Sequence, residues 1–299
     1  MNHASLSPDA GHHCASAVDT GFVALGTWKV AVLGVVQGIT ELLPVSSTAH
    51  MRAVPAFLGW PDPGSAFSAA MQLAALAAVI VYFHRDLAKL TAGFARSLAT
   101  GSYRTPDFRF VAGIVLATIP IVIAGGALSG ILNRCHSPLR TPMVIGIACF
   151  AMAVVMGIAE LAARHRRKSE SLTYWDALIV GLAQVGALIP GVSRSGSTLA
   201  GALFLGFERE DAARISFLLG IPAIAAAGLK ELWELHKAGL SVEGWRILAV
   251  GLVVASLSAF VAIWGLMRVL ERFSTWPLVI YRAAFGLLVI AGAYFGWIT

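Results

Sequence analysis

Six long apolar runs constrain the fold of this chain more than any other feature. A helix needs about 20 mainly apolar residues to cross the roughly 30 Å hydrocarbon core of a bilayer. The runs that reach this length are residues 66–83, 110–132, 142–162, 213–232, 246–267 and 277–297. Composition agrees, because 58% of the residues are hydrophobic and 13% are charged, which lies outside the range of soluble domains. The sequence therefore predicts an all-α polytopic membrane protein.

Two further apolar runs, residues 30–60 and 177–207, are interrupted and differ from ordinary membrane helices. Each consists of a short apolar arm, a break that contains Pro44 or Pro190 together with serines, and a second short arm. Irregular backbone at membrane depth is tolerated only where protein or a water-filled cavity satisfies its polar groups. We therefore predict two re-entrant helical hairpins, each of which enters the membrane and leaves it on the same side.

The two halves of the chain resemble each other, which predicts a duplication. At one constant spacing, the matches pair Gly34 with Gly181, Gln37 with Gln184, and Ser46 with Ser193. Residues 25–163 form the first predicted repeat and residues 176–299 the second, each a re-entrant hairpin plus three transmembrane helices. Because three spans are an odd number, the second copy has to be inserted upside down, as an inverted repeat. The two hairpins then enter from opposite sides and meet near mid-depth.

The segments outside the repeats are polar or basic. Residues 1–24 form a tail without the basic-then-apolar pattern of a signal peptide. Residues 164–175 form a basic linker, and the concentration of cations here and in two other links predicts that these links are cytoplasmic and both termini face outward. The net charge of +6 therefore does not indicate nucleic-acid binding. The three cysteines lack metal-site spacing and are predicted to be free, with a Cys14–Cys135 disulfide as the alternative.

Each interrupted run contains a single formal charge. Glu41 is the only charged residue between positions 30 and 51, and Arg194 is the only one between positions 177 and 207. An ionisable residue at membrane depth indicates function by default, because its insertion costs several kcal/mol. We predict that the meeting of the hairpins brings Glu41 and Arg194 together. The alternative is a purely structural ion pair that joins the hairpins.

The residue types around these charges favour phosphate as a ligand. A proline break allows a new helix to start, and the first amide groups of that helix can hold an anion. Arg194 adds a planar fork of donors that matches phosphate oxygens. The accompanying hydroxyl groups are those of Ser46, Ser47, Thr48, Ser193, Ser195 and Thr198. Ser46 and Thr48 are also explained as helix caps or packing residues.

The first hairpin carries residues suited to proton transfer and to metal binding. Ser47 and His50 are three residues apart and share a helix face, so a neutral imidazole could take the serine proton or protonate a leaving oxygen. Glu41 and Gln37 are four apart, and their oxygens could hold a divalent cation that bridges two phosphates. Alternatively, Glu41 orients His50, and Gln37 makes only an interhelical hydrogen bond.

Together these residues resemble the undecaprenyl-pyrophosphate phosphatases, also called bacitracin-resistance proteins. The first motif of that family matches Gln37, Glu41, the segment from Leu43 to Thr48, and His50. The second motif, Pro-Gly-x-Ser-Arg-Ser-x-x-Thr, matches the segment from Pro190 to Thr198. The resemblance runs from about residue 30 to the end of the chain. It implies removal of one phosphate from undecaprenyl diphosphate, the lipid carrier of cell-wall synthesis, and thereby bacitracin resistance.

The resemblance also implies a location, a cofactor and roles for residues. The expected location is the bacterial inner (plasma) membrane, with an active site that opens to the periplasmic side and a divalent metal ion, Mg²⁺ or Ca²⁺, held by Glu41 and Gln37. The expected catalytic residues are Ser47 as nucleophile and His50 as acid/base, with Glu41 and Arg194. The expected substrate-binding residues are Ser46, Thr48, Ser193, Ser195, Thr198, Gln72 and Gln184. A metal-activated water is the alternative nucleophile, in which case Ser47 only binds phosphate.

Two other classes of protein remain open at this point. Inverted repeats with broken helices also build transporters, so the chain could instead be a polyprenyl-phosphate transporter or flippase with the same phosphate pocket. A catalytically inactive lipid-binding homologue is the third reading. A hydroxyl beside a histidine and a carboxylate favours the enzyme, because holding a phosphate needs no proton shuttle. The expected partners are a polyprenyl diphosphate lipid and membrane lipids, with a homo-oligomer left open.

Overall fold

A computed structural model describes residues 20–132 and 138–298. Most of the predicted polar tail, together with Cys14, Cys135 and the predicted disulfide between them, lies outside the described residues. The described part of the chain is 82% helical and contains no β-strand. Cys149, which it does contain, is a buried free thiol. The all-α prediction is confirmed.

Eleven α-helices make up the described residues, with single 3₁₀ turns at Pro138–Arg140, Ser169–Ser171 and Gly186–Leu188. In chain order the α-helices are α1 (Phe22–Leu42), α2 (Ser47–Phe57), α3 (Ser65–Tyr82), α4 (His84–Thr100), α5 (Pro106–Leu132), α6 (Pro142–Ala162), α7 (Tyr174–Val185), α8 (Arg194–Phe204), α9 (Arg209–Lys237), α10 (Val242–Arg272) and α11 (Trp276–Tyr294). The predicted hairpins correspond to α1 with α2 and to α7 with α8. Each of these pairs is broken at the expected proline-containing segment.

The helices that can cross a membrane confirm a multi-pass membrane protein. Within the described residues, α1, α5, α6, α9, α10 and α11 are each long and apolar enough to cross, and α3 with α4 makes up to one more. Five of the six predicted spans correspond to the last five of these single helices, and the sixth corresponds to α3. The outer faces remain apolar, as Val122, Ile123 and Leu257 show by exposing 60%, 66% and 67% of their surface. These side chains face lipid rather than water.

Two elements differ from the sequence-based expectation. Helix α1 begins at Phe22, inside the predicted tail, and is kinked at Gly26, where φ is 74°. With its 21 residues it is long enough to cross a membrane rather than being a short arm. Its start is held in place because Phe22 is fully buried and stacks on Phe67, with ring centroids 4.9 Å apart. Residues 84–100, predicted to be part of a link, form the helix α4. Whether the hairpins are re-entrant and the repeat is inverted stays a prediction.

The packing of the helices is reciprocal between the halves. Helix α1 packs on α10, and the corresponding α7 packs on α5, while the last helices of the two halves, α6 and α11, pack on each other. Both hairpin contacts use the matched glycines. A Cβ atom at Gly34 would lie 2.9 Å from the carbonyl oxygen of Gly251, and one at Gly181 would lie 2.4 Å from that of Ala117. This reciprocity is what a twofold relation between the halves requires, and it brings the two breaks to the middle of the bundle.

Candidate active site

The two breaks adopt the same backbone geometry. Ser46 and Ser193, the residues before α2 and α8, have φ angles of 75° and 68°, a region that residues other than glycine rarely occupy. Each serine hydroxyl caps its helix by accepting a hydrogen bond from the amide three residues on, at 3.4 Å from Ala49 and 3.3 Å from Gly196. The caps satisfy helix-start amide groups inside the protein. The matched serines therefore start two equivalent helices.

A buried arginine ties the two breaks together. The Arg282 side chain on α11 is fully buried and donates to the Pro44 carbonyl of the first break (2.7 Å) and to the Gly191 (2.7 Å) and Val192 (2.6 Å) carbonyls of the second. Its Nε also donates to the Cys149 carbonyl at 3.1 Å. Sequence reasoning missed this residue. The available signal was that Arg282 is the only formal charge in its apolar run, as Glu41 and Arg194 are in theirs.

The Glu41 carboxylate lies at the end of α1 and binds the first hydroxyl of α2. Its Oε2 accepts hydrogen bonds from Ser47 Oγ at 2.6 Å and from Gln37 Nε2 at 2.9 Å. Only 6% of Glu41 is exposed. A short hydrogen bond from a hydroxyl to a buried carboxylate is charge-assisted, so Glu41 is placed to accept the Ser47 proton.

The Arg194 guanidinium approaches the same carboxylate from the second break. Its Nη2 lies 3.7 Å from Glu41 Oε1, and both Nη atoms are buried without a hydrogen-bond partner in the described part of the chain. Helix α9 leaves room for this group at Gly220, where a Cβ atom would lie 1.6 Å from Arg194 Nη1. Because a buried donor without an acceptor is costly, the arrangement favours an anionic ligand.

Both groups line one cavity of about 150 Å³. Its polar wall consists of Glu41, Ser47, Thr48, Gln72, Ser193 and Arg194. Its apolar wall consists of Ile121 on α5, Ala187 and Ile189 in the second break, and Ala223, Ile224 and Ala227 on α9. The structure thus brings six residues predicted for the site, from three separate parts of the chain, around a single space.

The other predicted substrate-binding residues do not line the cavity, and three of them bind backbone groups at the two breaks. Ser195 Oγ donates to the Glu41 and Leu43 carbonyls across the two breaks, at 3.2 and 3.3 Å. Thr198 Oγ1 donates to the Arg194 carbonyl at 2.8 Å. Ser46 is a cap, as described above. Gln184 is fully buried, and neither polar atom of its amide has a hydrogen-bond partner among the described residues.

His50 is placed differently from the sequence-based expectation. Its Nδ1 lies 2.8 Å from the Ser46 carbonyl oxygen and its Nε2 lies 2.8 Å from the Tyr281 hydroxyl. The ring also stacks on Phe285, with centroids 3.8 Å apart. Both ring nitrogens are therefore occupied away from the Ser47 hydroxyl. Because a carbonyl oxygen can only accept, the proton of the neutral imidazole lies on Nδ1, and Nε2 accepts a hydrogen bond from the Tyr281 hydroxyl. Tyr281 and Phe285 carried no sequence signal, since aromatic residues in an apolar run resemble lipid-facing ones.

The expected metal ligands, Glu41 and Gln37, lie next to each other, with Gln37 Nε2 2.9 Å from Glu41 Oε2. Residues 20–132 and 138–298 contain no group of three or more His, Cys, Asp or Glu side chains suited to a metal ion. Mg²⁺, however, is often held by one or two carboxylates together with the phosphates of a substrate. Glu41 lines the cavity, and a rotated Gln37 amide would turn its oxygen toward the carboxylate. The donors present fit a cation that arrives with a diphosphate.

Comparison with known proteins shows the family of the chain. Residues 30–288 match the family model described as bacitracin resistance protein BacA. The chain belongs to this family. A protein of Mesorhizobium japonicum named undecaprenyl-diphosphatase 2 is 65% identical over 263 residues, which cover 88% of this chain and 100% of the relative. Undecaprenyl-diphosphatases of Gloeobacter violaceus and Trichodesmium erythraeum are 47% and 45% identical, covering 89% and 91% of this chain and 91% and 88% of theirs.

Proposed function

We propose that this membrane protein is an undecaprenyl-diphosphatase, which hydrolyses the terminal phosphate from the lipid diphosphate. The observation that carries the proposal is the Ser47 hydroxyl, 2.6 Å from the Glu41 carboxylate, in one cavity with the Arg194 guanidinium, whose Nη atoms have no hydrogen-bond partner among the described residues. The name of the relatives supports the substrate. A transporter would need the Arg194 cation to bind phosphate but would not need the hydrogen-bonded pair of Ser47 and Glu41, so the transporter alternative is not favoured.

In the proposed mechanism Arg194 binds the oxygens of the terminal phosphate through its two free Nη groups. Ser47 Oγ attacks the terminal phosphorus while its proton passes to Glu41 Oε2. The bond between that phosphorus and the bridging oxygen breaks, and the lipid monophosphate leaves with the electron pair. Water then attacks the phosphorus of the phosphoserine, the bond between that phosphorus and Ser47 Oγ breaks, and Oγ takes back the proton from Glu41 as inorganic phosphate leaves. A divalent cation held by Glu41 and Gln37 would neutralise charge on the diphosphate.

Water could also attack the phosphorus directly, with Glu41 as its base and Ser47 as a phosphate ligand. Rapid quenching during turnover separates the two routes. Radiolabel from the terminal phosphate should appear on Ser47 if the serine is the nucleophile. Its absence from an enzyme that turns over normally would assign the attack to water.

The lining of the cavity supports an opening toward the periplasmic side of a bacterial plasma membrane. One cation-rich link, with Arg104, precedes α5. The other, segment 164–168, lies beside the start of α9, where the Glu208 amide donates to the Arg167 carbonyl at 2.8 Å. Such links are cytoplasmic by the positive-inside tendency. The cavity residues Ile121 and Ala227 lie in the halves of α5 and α9 that are farther from these starts. Hydrolysis on this side would supply lipid monophosphate for reuse in cell-wall synthesis.

The function is tested by phosphate release from undecaprenyl diphosphate by the purified protein, with and without a chelator. Steady release by the wild type and by Ser171→Ala, a control at an exposed serine, is expected. Ser47→Ala should reduce it by about 10³-fold or more. Transbilayer movement of a prenyl phosphate without phosphate release would contradict the proposed phosphatase activity and support a transporter.

The role of His50 is settled by the pH profile of kcat/KM. As an acid/base, His50 would contribute one limb of the profile, and that limb would disappear in His50→Gln. If His50 instead only holds the Ser46 carbonyl, the His50→Gln substitution should lower the rate equally at every pH. Tyr281→Phe removes only the hydroxyl that binds His50 Nε2, so it should then give the same uniform but smaller loss.

A further inference from the structure

Helix α4 runs across the direction of the membrane spans. It follows α3 after a bend of 76° at Phe83. Transmembrane helices are tilted by about 20° on average from the bilayer normal. If α3 crosses the membrane in this way, α4 lies closer to the plane of the membrane surface than to the normal.

The inner side of α4 is fixed against the protein. Leu90 and Ser97 are buried, and Ser97 Oγ lies 2.6 Å from Thr105 Oγ1 at the entry to α5. Phe94 stacks on Phe108, with ring centroids 5.2 Å apart. These contacts set which face of α4 points away from the bundle.

The outer side of α4 carries three cations in one stripe. Arg85, Lys89 and Arg96 are exposed, and their spacing places them within about 40° of one another around a helix of 3.6 residues per turn. None of the three has an ion-pair partner in the part of the chain that the structure describes. The acidic residue of α4, Asp86, instead pairs with Arg214 at 3.2 Å. We call Arg85, Lys89 and Arg96 the α4 basic face.

An apolar stripe lies beside the α4 basic face. It consists of the exposed Ala88, Ala92 and Ala95 together with Leu98, which is 51% exposed. Thr91 lies in the same stripe, with its hydroxyl bound to the Leu87 carbonyl at 2.7 Å. Tyr103, which follows the helix, is 54% exposed. A helix with a cationic stripe next to an apolar one is typical of segments that lie in the membrane interface, where tyrosine is also enriched.

We propose that α4 is an interfacial helix whose basic face binds the head groups of anionic phospholipids. The cations supply the charge complementarity, and each cation near an anionic surface contributes roughly a fivefold preference at low salt. The apolar stripe decides against a soluble acidic partner, because that stripe is covered only when the helix lies on the acyl boundary. The membrane that surrounds the protein presents such head groups along the whole of α4.

The experiment compares three full-length proteins in nanodiscs. They are the wild type, the Arg85→Gln/Lys89→Gln/Arg96→Gln variant of the α4 basic face, and the control Lys230→Gln/Lys237→Gln/Arg246→Gln, which removes the same charge from exposed cations elsewhere. The measurement is the rise in thermal unfolding midpoint when phosphatidylglycerol replaces part of the phosphatidylcholine, since a ligand of the folded state stabilises it by mass action. The α4 variant should lose more than half of the rise, whereas the control keeps it.

A second readout makes the proposal independent of folding effects. After extraction from mixed membranes, the phosphatidylglycerol retained per protein should be several-fold enriched for the wild type and control, but not for the α4 variant. Equal enrichment in all three would overturn the proposal. A lower midpoint of the α4 variant already in pure phosphatidylcholine, with no change in its response to phosphatidylglycerol, would also overturn it by showing a structural role.

Discussion

At the first break residues 43–46 separate α1 from α2, and at the second residues 186–193, which begin with the 3₁₀ turn Gly186–Leu188, separate α7 from α8. Both have a serine cap with positive φ, and both offer backbone carbonyls to Arg282. Their side chains differ. Ser47 follows the first break, and its carboxylate partner, Glu41, precedes it. Arg194 occupies the position that corresponds to Ser47 after the second break.

The difference shows how a repeated backbone can serve one asymmetric reaction. In the proposed mechanism, proton transfer and attack are confined to the first break, and recognition of the anion falls mainly to the second. The matched glutamines show the same division, because Gln37 donates to Glu41 while Gln184 has no partner among the described residues. The shared backbone aligns the two sets of groups, and Arg282 keeps them in register.

The largest effect is expected from Arg282→Met, which removes the contact common to both breaks. It leaves four backbone carbonyls without their donor, and a buried group that loses its partner costs about 1–3 kcal/mol. Thermal unfolding should show a much lower midpoint, and phosphate release should be lost. Arg246→Met, at a side chain that is 79% exposed, is the control and should behave as the wild type. A stable, active Arg282→Met protein would show that the two breaks do not need the contacts with Arg282.

Glu41→Gln should affect only the chemistry of the first break. The amide can still bind Ser47 and Gln37, but it cannot accept a proton, so kcat should fall by about 10³-fold with the fold intact. The measurement is phosphate release together with the unfolding midpoint. Glu243→Gln, at an exposed carboxylate, should change neither. Retained turnover in Glu41→Gln would assign the proton to another group.

Gly220→Ala should affect only the second break. The added Cβ atom would lie 1.6 Å from Arg194 Nη1, so the flexible end of the arginine has to move out of its slot. Because the cation is displaced but the hydroxyl–carboxylate pair is not, KM should rise by about tenfold or more with a smaller change in kcat. Gly265→Ala, where a Cβ atom meets nothing within 4 Å, provides the control. Unchanged kinetics would mean that Arg194 does not bind the substrate from this position.

The smallest effects are expected from the matched glutamines, one on activity and the other on stability. Gln37→Leu removes a donor to the Glu41 carboxylate, so activity should fall by about tenfold. Gln184→Leu removes a buried amide without partners, so the free energy of unfolding should rise by about 1 kcal/mol while activity stays within about twofold. A large rise in KM for Gln184→Leu would instead support the substrate-binding role expected from sequence.

The membrane-spanning architecture was accessible from sequence because the bilayer fixes the length of each apolar run. Helix α6 coincides with the predicted run 142–162. Helix α4 was missed because its apolar side covers α5 while its outer side is basic, so its composition matches that of a polar link. The start of α1 was missed because it depends on the distant ring of Phe67.

The site was accessible where a residue was unusual for its surroundings. Glu41 and Arg194 stand out as single charges next to a break, and the structure places them 3.7 Å apart. The bonds of His50 could not be derived in this way, because its Nε2 partner, Tyr281, is 231 positions away on α11. Spacing along a helix shows which residues share a face but not which neighbouring helix that face meets.

The central claim, that the two breaks form one site, is tested most directly by a double-mutant cycle on kcat/KM between Glu41→Gln and Arg194→Lys. Substitutions at sites more than about 7–10 Å apart without shared partners usually act additively, whereas groups in contact are coupled by about 0.5–3 kcal/mol. Lysine retains the charge but not the two-pronged geometry, so each single variant should be impaired. The shared site predicts that the double variant departs from the product of the two losses by at least about twofold. Losses that multiply within error would contradict it.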